Sequence, residues 1–264
     1  VSDTTKIEWT DHTFNPWWGC SRVSPACRFC YADTTATRWG HELWRRKGPR
    51  KMMSDAYWRT PAKWNRAAKE AGVPAKVFCA SMADVFEQHP VPEVNAQLDA
   101  ARARLWSLIE QTPWLIWQLL TKRPENVAAL APWGQAWGQA WPDNVWLGTS
   151  VENQRWANER LPILAEIPAA VRFLSCEPLL GPTYLALTAW GERINWCIVG
   201  GESGHGARRM ELDWARLIVE ECQRAGTAAF VKQLGSAHGP HKGGDISTWP
   251  PELQVREYPQ VVAA

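Results

Sequence analysis

Cys20, Cys27 and Cys30 stand within eleven residues, in the run Gly19-Cys20-Ser21-Arg22-Val23-Ser24-Pro25-Ala26-Cys27-Arg28-Phe29-Cys30-Tyr31. Thiols at that density suit a soft metal centre. Three are one short of the four ligands that structural zinc and common iron–sulfur sites use, so either a further side chain such as Cys79 completes the shell or one coordination position stays open. A zinc knuckle or a set of buried thiols is the plainer alternative. The chain has seven cysteines, an odd number, and the close triple is spaced for metal, so a reducing cytoplasm is expected and a disulfide framework is not.

A second set of chemically able residues closes successive apolar runs. Ser81 and Asp84 follow the run at Lys76 to Ser81, and Thr121, Lys122 and Arg123 the run at Trp114 to Thr121. Ser150 and Glu152 follow Val145 to Ser150, and Ser175, Cys176 and Glu177 close Val171 to Ser175. Gly200, Gly201, Glu202 and Ser203 follow Ile194 to Gly200, while Lys232 and Gln233 lie within Ala228 to Leu234. A hydrogen-bonding or charged group at nearly every strand end points to a polar ligand held there. Cys79, Cys197 and Cys222 read as small buried hydrophobes; Cys176, beside Glu177, is the one candidate hydrogen-atom donor among the remaining cysteines. The Gly200 to Gly206 loop does not match the dinucleotide fingerprint, and its His205 reads as a solvated side chain.

The elements that must position these groups alternate. Apolar runs of strand length are separated by helical patterns, such as the stripe Val94, Leu98, Ala101, Leu105, Leu108, and a helix that Asp213 can cap, with Leu212 and Leu217 as a hydrophobic staple and Gly226 at its end. Helices are also expected from Tyr31 to about Lys47 and from Tyr57 to Ala71. With a first strand near Phe14, the pattern is α/β: a full or partial (βα) TIM-type barrel of roughly six to seven parallel strands, with the cysteine loop near the N-terminus. One domain over residues 1–264 is expected. The duplicated Trp133-Gly134-Gln135-Ala136 and Trp137-Gly138-Gln139-Ala140 reads as a surface loop insertion.

Charge is uneven. From Asp33 to Glu70 there are ten Lys or Arg against four Asp or Glu, a local +6 in a chain whose total is +2. The cations are interleaved with Trp39, Trp44, Tyr57, Trp58 and Trp64, a mixture that binds phosphates and stacks on bases, so the segment 38–69 is a candidate nucleic-acid (DNA) contact. The competing reading is a pair of amphipathic helices with solvated basic faces. The polar N-terminus and the shortness of every apolar stretch lead us to expect neither export nor a membrane span, and hence a cytoplasmic protein.

Cys27-Arg28-Phe29-Cys30 resembles the Cys-x-aromatic-Cys end of the radical S-adenosylmethionine motif. The six residues between Cys20 and Cys27 depart from the three usual there, which places the resemblance with a variant branch. With Ser81-Met82-Ala83-Asp84-Val85-Phe86, Thr121-Lys122-Arg123-Pro124, Gly148-Thr149-Ser150-Val151-Glu152-Asn153, Ser175-Cys176-Glu177-Pro178-Leu179 and Gly200-Gly201-Glu202-Ser203-Gly204, the chain resembles, over nearly its whole length, a phage and prophage family known by its three-cysteine motif. That family is similar to radical S-adenosylmethionine proteins, with spore photoproduct lyase among its more distant relatives. The resemblance implies a [4Fe-4S] cluster on Cys20, Cys27 and Cys30, S-adenosylmethionine bound at its open iron, and an external electron donor.

It further implies that Asp84 lies near the methionyl amino group and that Ser150 and Glu152 meet the ribose hydroxyls. Ser81 and Lys122 join them as cofactor contacts by strand-end position, and Glu177, Glu202 and Cys176 are the catalytic candidates. The implied reaction is hydrogen abstraction by a 5′-deoxyadenosyl radical, in modification or rearrangement of a substituted base of phage DNA, within the isomerase, lyase or transferase classes. Two alternatives stand beside it: a non-catalytic zinc-containing nucleic-acid-binding module, and a radical enzyme for a free small molecule.

Overall fold

The computed structural model describes residues 5–133 and 140–260. Seven strands make one parallel sheet, taken in chain order, and a separate antiparallel pair lies outside it. Strands added in sequence, without the order reversal of a dinucleotide-binding sheet, are the topology of a partial (βα) barrel, as the apolar runs predict. The described residues fall into two compact units, residues 1–23 with 32–146, and 24–31 with 147–264.

In the first unit β1 (His12–Thr13) is followed by β2 (Trp17–Trp18), and β2 pairs antiparallel with β3 (Lys51–Met52). Between them α1 spans Tyr31–Arg38, shorter than the helix to Lys47 that the sequence suggests. Gly40 takes φ 80°, and the amide N–H groups of Gly40 and His41 return to the carbonyls of Thr37 and Ala36, which ends the helix in a left-handed cap. The rest of that stretch is a loop gathered on one side chain. Arg50, 5% exposed, donates through Nη1 to the carbonyls of Leu43, Gly48 and Pro49, each at 3.1 Å.

The expected helix from Tyr57 to Ala71 is two: α2 (Asp55–Trp58), capped by the Ser54 hydroxyl, and α3 (Thr60–Ala71), which Pro61 opens and Gly72 closes at φ 67°. β4 (Ala75–Cys79) follows, paired in register with β1 through Val77 opposite His12. Then come α4 (Pro92–Gln111) and β5 (Leu115–Thr121), the latter pairing β4 from Ala75 opposite Leu115 to Cys79 opposite Leu119. Of the expected stripe α4 buries Leu98 and Leu105, with Trp106 and Ile109 beside them, while Val94, Ala101 and Leu108 are only partly covered. α5 (Val127–Leu130) is a single turn, and most of the tandem duplication after it lies outside the described residues. Trp133, which begins it, is 2% exposed and packs edge-on against Trp106.

β6 (Val145–Ser150) leads from the first unit into the second, which continues with α6 (Gln154–Ala165), β7 (Val171–Cys176), α7 (Leu187–Trp190), β8 (Trp196–Gly200), α8 (Leu212–Ala225) and β9 (Ala228–Gln233). Every residue of β6 and β8 is buried, which is why β8 and the start of β6 read as apolar runs; Thr149 and Ser150 are the buried polar end of β6. α8 starts one residue before Asp213: Glu211 takes the cap position, Asp213 pairs with Arg216, and Leu217 is 47% exposed, so the expected staple does not form. No helix among the described residues is long and apolar enough to cross a membrane.

Candidate active site

In the first unit the loop after β2 sets Cys20 against the ends of β4 and β5. The Gly19 amide donates to the Met82 carbonyl at 3.0 Å, fixing the approach of the loop. Arg123 then reaches Cys20 from the end of β5, its Nη1 lying 3.5 Å from Sγ. Its Nη2 donates to the Ser21 carbonyl at 2.7 Å. The same guanidinium pairs with Asp84 at 2.8 Å, each side chain 7% exposed, and lies 3.8 Å from Glu87. Burial pushes the Cys20 thiol up to about 12, against the pull of Arg123.

Asp84 has both oxygens engaged. Oδ1 accepts from the Thr121 hydroxyl (2.8 Å) and the Phe86 amide (3.1 Å), Oδ2 from the Lys122 amide (3.0 Å) and Arg123. Burial would raise its pKa, but Arg123 and these donors outweigh it and hold the carboxyl below the ordinary value. Glu87, fully buried, takes Arg50 through Nε at 2.9 Å and Nη2 at 2.7 Å, and the Ser21 hydroxyl at 2.5 Å. Two buried arginines and two buried carboxylates therefore hold the chain at Cys20 and Ser21. Ser81 lies apart from this network and exchanges hydrogen bonds with the Asn15 amide side chain.

In the second unit residues 24–31 carry the other two cysteines. Cys27 ends a short turn of helix (Pro25–Cys27), and Cys30 precedes α1 directly. Arg208 clamps this segment. Its guanidinium lies 5.3 Å from the Phe29 ring centroid, Arg28 lies 5.1 Å from the same ring, and Arg208 Nη2 donates to the Pro25 carbonyl at 3.1 Å. Glu202, 4% exposed, orients Arg208 by accepting from its Nε at 2.8 Å, its Nη2 at 2.5 Å and its amide at 2.9 Å.

The loop that carries both residues begins at a register shift between Val199 and Gly200. Gly201 is obligatory there, because a Cβ would lie 2.1 Å from the Leu234 carbonyl oxygen. His205, on the same loop, is exposed.

At the ends of β7 and β9, Glu177 meets Lys232 at 2.6 Å and Gln233 at 3.3 Å, both partners of the ion pair retaining under a fifth of their surface. Beyond β6, Glu152 is fully buried; its Oε2 pairs with Arg160 at 3.0 Å, while its Oε1 has no hydrogen-bond partner. The Ser150 carbonyl accepts from the same arginine at 2.8 Å. Cys176 is buried, and burial, with Cys222, Glu221 and Glu152 nearby, pushes its thiol well above the usual value.

The expected strand-end residues thus resolve into separate settings: Asp84 and Lys122 about Arg123, Glu177 with Lys232, Glu202 with Arg208, and Glu152 with Arg160. Arg50, Glu87, Arg160 and Arg208 were not legible as site residues. Only Arg208, six positions after Glu202 across a glycine-rich turn, left a local signal.

None of the seven cysteines is in a disulfide; Cys20, Cys27 and Cys30 are partly exposed, and Cys79, Cys176, Cys197 and Cys222 are buried. Among the described residues no three His, Cys, Asp or Glu side chains form a group that could hold a metal ion. Thiols are the donors that iron–sulfur clusters use, and the Arg123 guanidinium lies against the Cys20 sulfur.

Two solved structures of spore photoproduct lyase variants are similar to the chain. One, with bound AdoMet and dinucleoside spore photoproduct, is 12% identical with a TM-score of 0.47, the match covering 84% of this chain and 63% of that one. The other is 12% identical with a TM-score of 0.45, covering 85% and 66%. The chain thus spans about two-thirds of the length of these proteins or slightly less. No curated protein matches it. A family model matches residues 4–254, and the chain belongs to the family described as "Protein of unknown function (DUF5131)".

Proposed function

We propose that the protein is a radical S-adenosylmethionine enzyme in which Cys20, Cys27 and Cys30 hold a [4Fe-4S] cluster, acting on a substituted base of DNA. The observation that carries this reading is the Cys27-Arg28-Phe29-Cys30 segment. Its thiols are outside any disulfide and partly exposed, and the guanidinium groups of Arg28 and Arg208 both lie against its aromatic ring. When bound, the cluster and S-adenosylmethionine supply a radical able to take hydrogen from an unactivated carbon, with the electron coming from an external donor.

The chain's own residues orient and shield. Arg123 would offset the thiolate charge of Cys20 once that sulfur serves as a ligand, and we assign Asp84 to hold Arg123 there, since its oxygens are already occupied. Glu152 Oε1, buried and unpartnered, fits a hydroxyl donor, which supports its assignment to the cofactor ribose beside Ser150. Glu177 and Lys232, a partly open ion pair at the strand ends, can hold or pass a proton at the substrate. Glu202 acts through Arg208 as a positioning residue for the cysteine segment.

The test is protein purified without oxygen. It is expected to be brown, to carry about four irons per chain, and to release 5′-deoxyadenosine and methionine from S-adenosylmethionine on reduction. Cys27→Ala should remove the iron, whereas Glu152→Gln should keep it and weaken cofactor binding. Colourless protein with one tightly held zinc would move the assignment to a structural zinc module.

A further inference from the structure

The aromatic residues of the basic segment are not equivalent. Trp58 and Trp64 are buried, Tyr57 stacks on Phe14 at 5.0 Å, and Trp64 stacks on His12 at 4.2 Å, so these rings belong to the core. Trp39, by contrast, is 69% exposed, the most exposed large apolar side chain among the described residues. It has company: its ring meets Trp18 edge-on at 6.4 Å, and His41 meets the same Trp18 edge-on at 6.3 Å. Lys51 lies with its ammonium 5.0 Å from the Trp18 ring centroid and 2.7 Å from His41 Nε2.

Two local devices assemble this cluster. β2 pairs with β3 so that Trp18 stands opposite Lys51, while Trp17, one residue earlier, is turned into the core. The left-handed cap at Gly40 then turns the chain between Trp39 and His41. Arg38, Arg45, Arg46 and Lys47 are exposed along the same stretch, and among the described residues only Arg45 of these pairs with a carboxylate, that of Glu42. Isolated surface aromatics are unremarkable, but three clustered rings with unneutralised cations are a ligand surface. Lys51 already covers Trp18, so the cluster disfavours a cationic ligand and suits an anionic one with a flat apolar face.

We propose that Trp39, buttressed edge-on by Trp18 and flanked by His41 and Lys51, forms a stacking platform for an unpaired base of single-stranded nucleic acid. Lys51 and the cations at positions 38, 45, 46 and 47 track the phosphates. This deepens the DNA-substrate part of the function proposed above. It narrows the contact from the whole segment 38–69 to one composite patch. Paired bases hide their faces, so an unpaired base is preferred over duplex.

The test is binding of a labelled oligothymidylate of roughly 12 nucleotides, within the site sizes of single-strand binders, to the full chain, with and without iron. Trp39→Ala is expected to weaken binding by about 5- to 100-fold, at low and high salt alike, and Trp39→Phe to restore much of it. Reversing charge at Arg45, Arg46 and Lys47 together should flatten the salt dependence by about 0.7 in log–log slope per lost contact. Reversal at Lys63, Arg66 and Lys69, exposed on α3 around the buried Trp64, should have the smaller effect.

Equal loss from both triple reversals with Trp39→Ala neutral would overturn the platform and leave a general polyanion surface. Binding to an acidic polypeptide in preference to the oligonucleotide would overturn it in favour of a protein partner. Because the assay needs no cluster, its outcome is separable from that of the iron and cleavage test.

Discussion

At the scale of single residues, the groups best suited to chemistry are those whose buried charges are incompletely balanced, and the ones fully balanced serve as supports. Asp84 accepts four hydrogen bonds and holds Arg123 against Cys20, so its contribution to stability should depend on pH in a defined direction. A carboxyl whose folded pKa lies below its unfolded value near about 3.9 stabilises the fold fully above that value. The contribution is lost as pH falls through the folded pKa. Asp84→Asn should therefore cost about 3–5 kcal/mol at neutral pH, because Arg123 is left buried beside an uncharged partner. The deficit relative to the parent should shrink below about pH 4. Urea unfolding of both proteins across that range measures it; a deficit independent of pH would mean that the Asp84 charge does not stabilise the fold.

At the scale of elements, residues 24–31 have little structure of their own and are held by a neighbour. Their single turn of helix buries only Ala26, and the clamp is Arg208, itself oriented by Glu202. Arg208→Ala should raise amide hydrogen exchange from Ala26 to Tyr31 while moving the global unfolding midpoint little. Arg208→Lys should not rescue it, since one ammonium cannot reproduce a fork that spans a carboxylate, a carbonyl and a ring. Unchanged exchange in Arg208→Ala would show that the segment is held by something else.

The same scale explains what could be read in advance. β8 and the first half of β6 were legible because strands buried on both faces are rich in apolar residues, with Thr149 and Ser150 marking the polar end of β6. The helix expected to Lys47 was not, because its end depends on Gly40 and on Arg50, which gathers carbonyls from the following loop. The β2–β3 pair escaped for a related reason: two residues on each strand carry no period. The Arg50–Glu87 pair, 37 positions apart, has no local signature at all.

At the scale of the whole molecule, cysteine placement separates two chemical populations that the sequence shows only as a dense triple and four scattered thiols. Strand and helix interiors enclose Cys79, Cys176, Cys197 and Cys222, whereas Cys20, Cys27 and Cys30 keep part of their surface. The Cys79, Cys176 and Cys197 thiols are also pushed above the usual value, Cys79 and Cys176 by burial and Cys197 first by its hydrogen bond with Cys222, which disfavours the thiolate a modifying reagent needs. Metal-free native protein should accordingly react with a bulky disulfide reagent at three thiols, Cys20 the slowest because burial also raises its pKa, and at all seven only after denaturation. Mass mapping should assign the three to Cys20, Cys27 and Cys30. If those residues are the cluster ligands, loading with iron and sulfide should protect all three together and leave the denatured total unchanged. Protection of fewer than three would exclude the three-cysteine shell, and native labelling of Cys176 or Cys222 would contradict the packing of β7 or α8 directly.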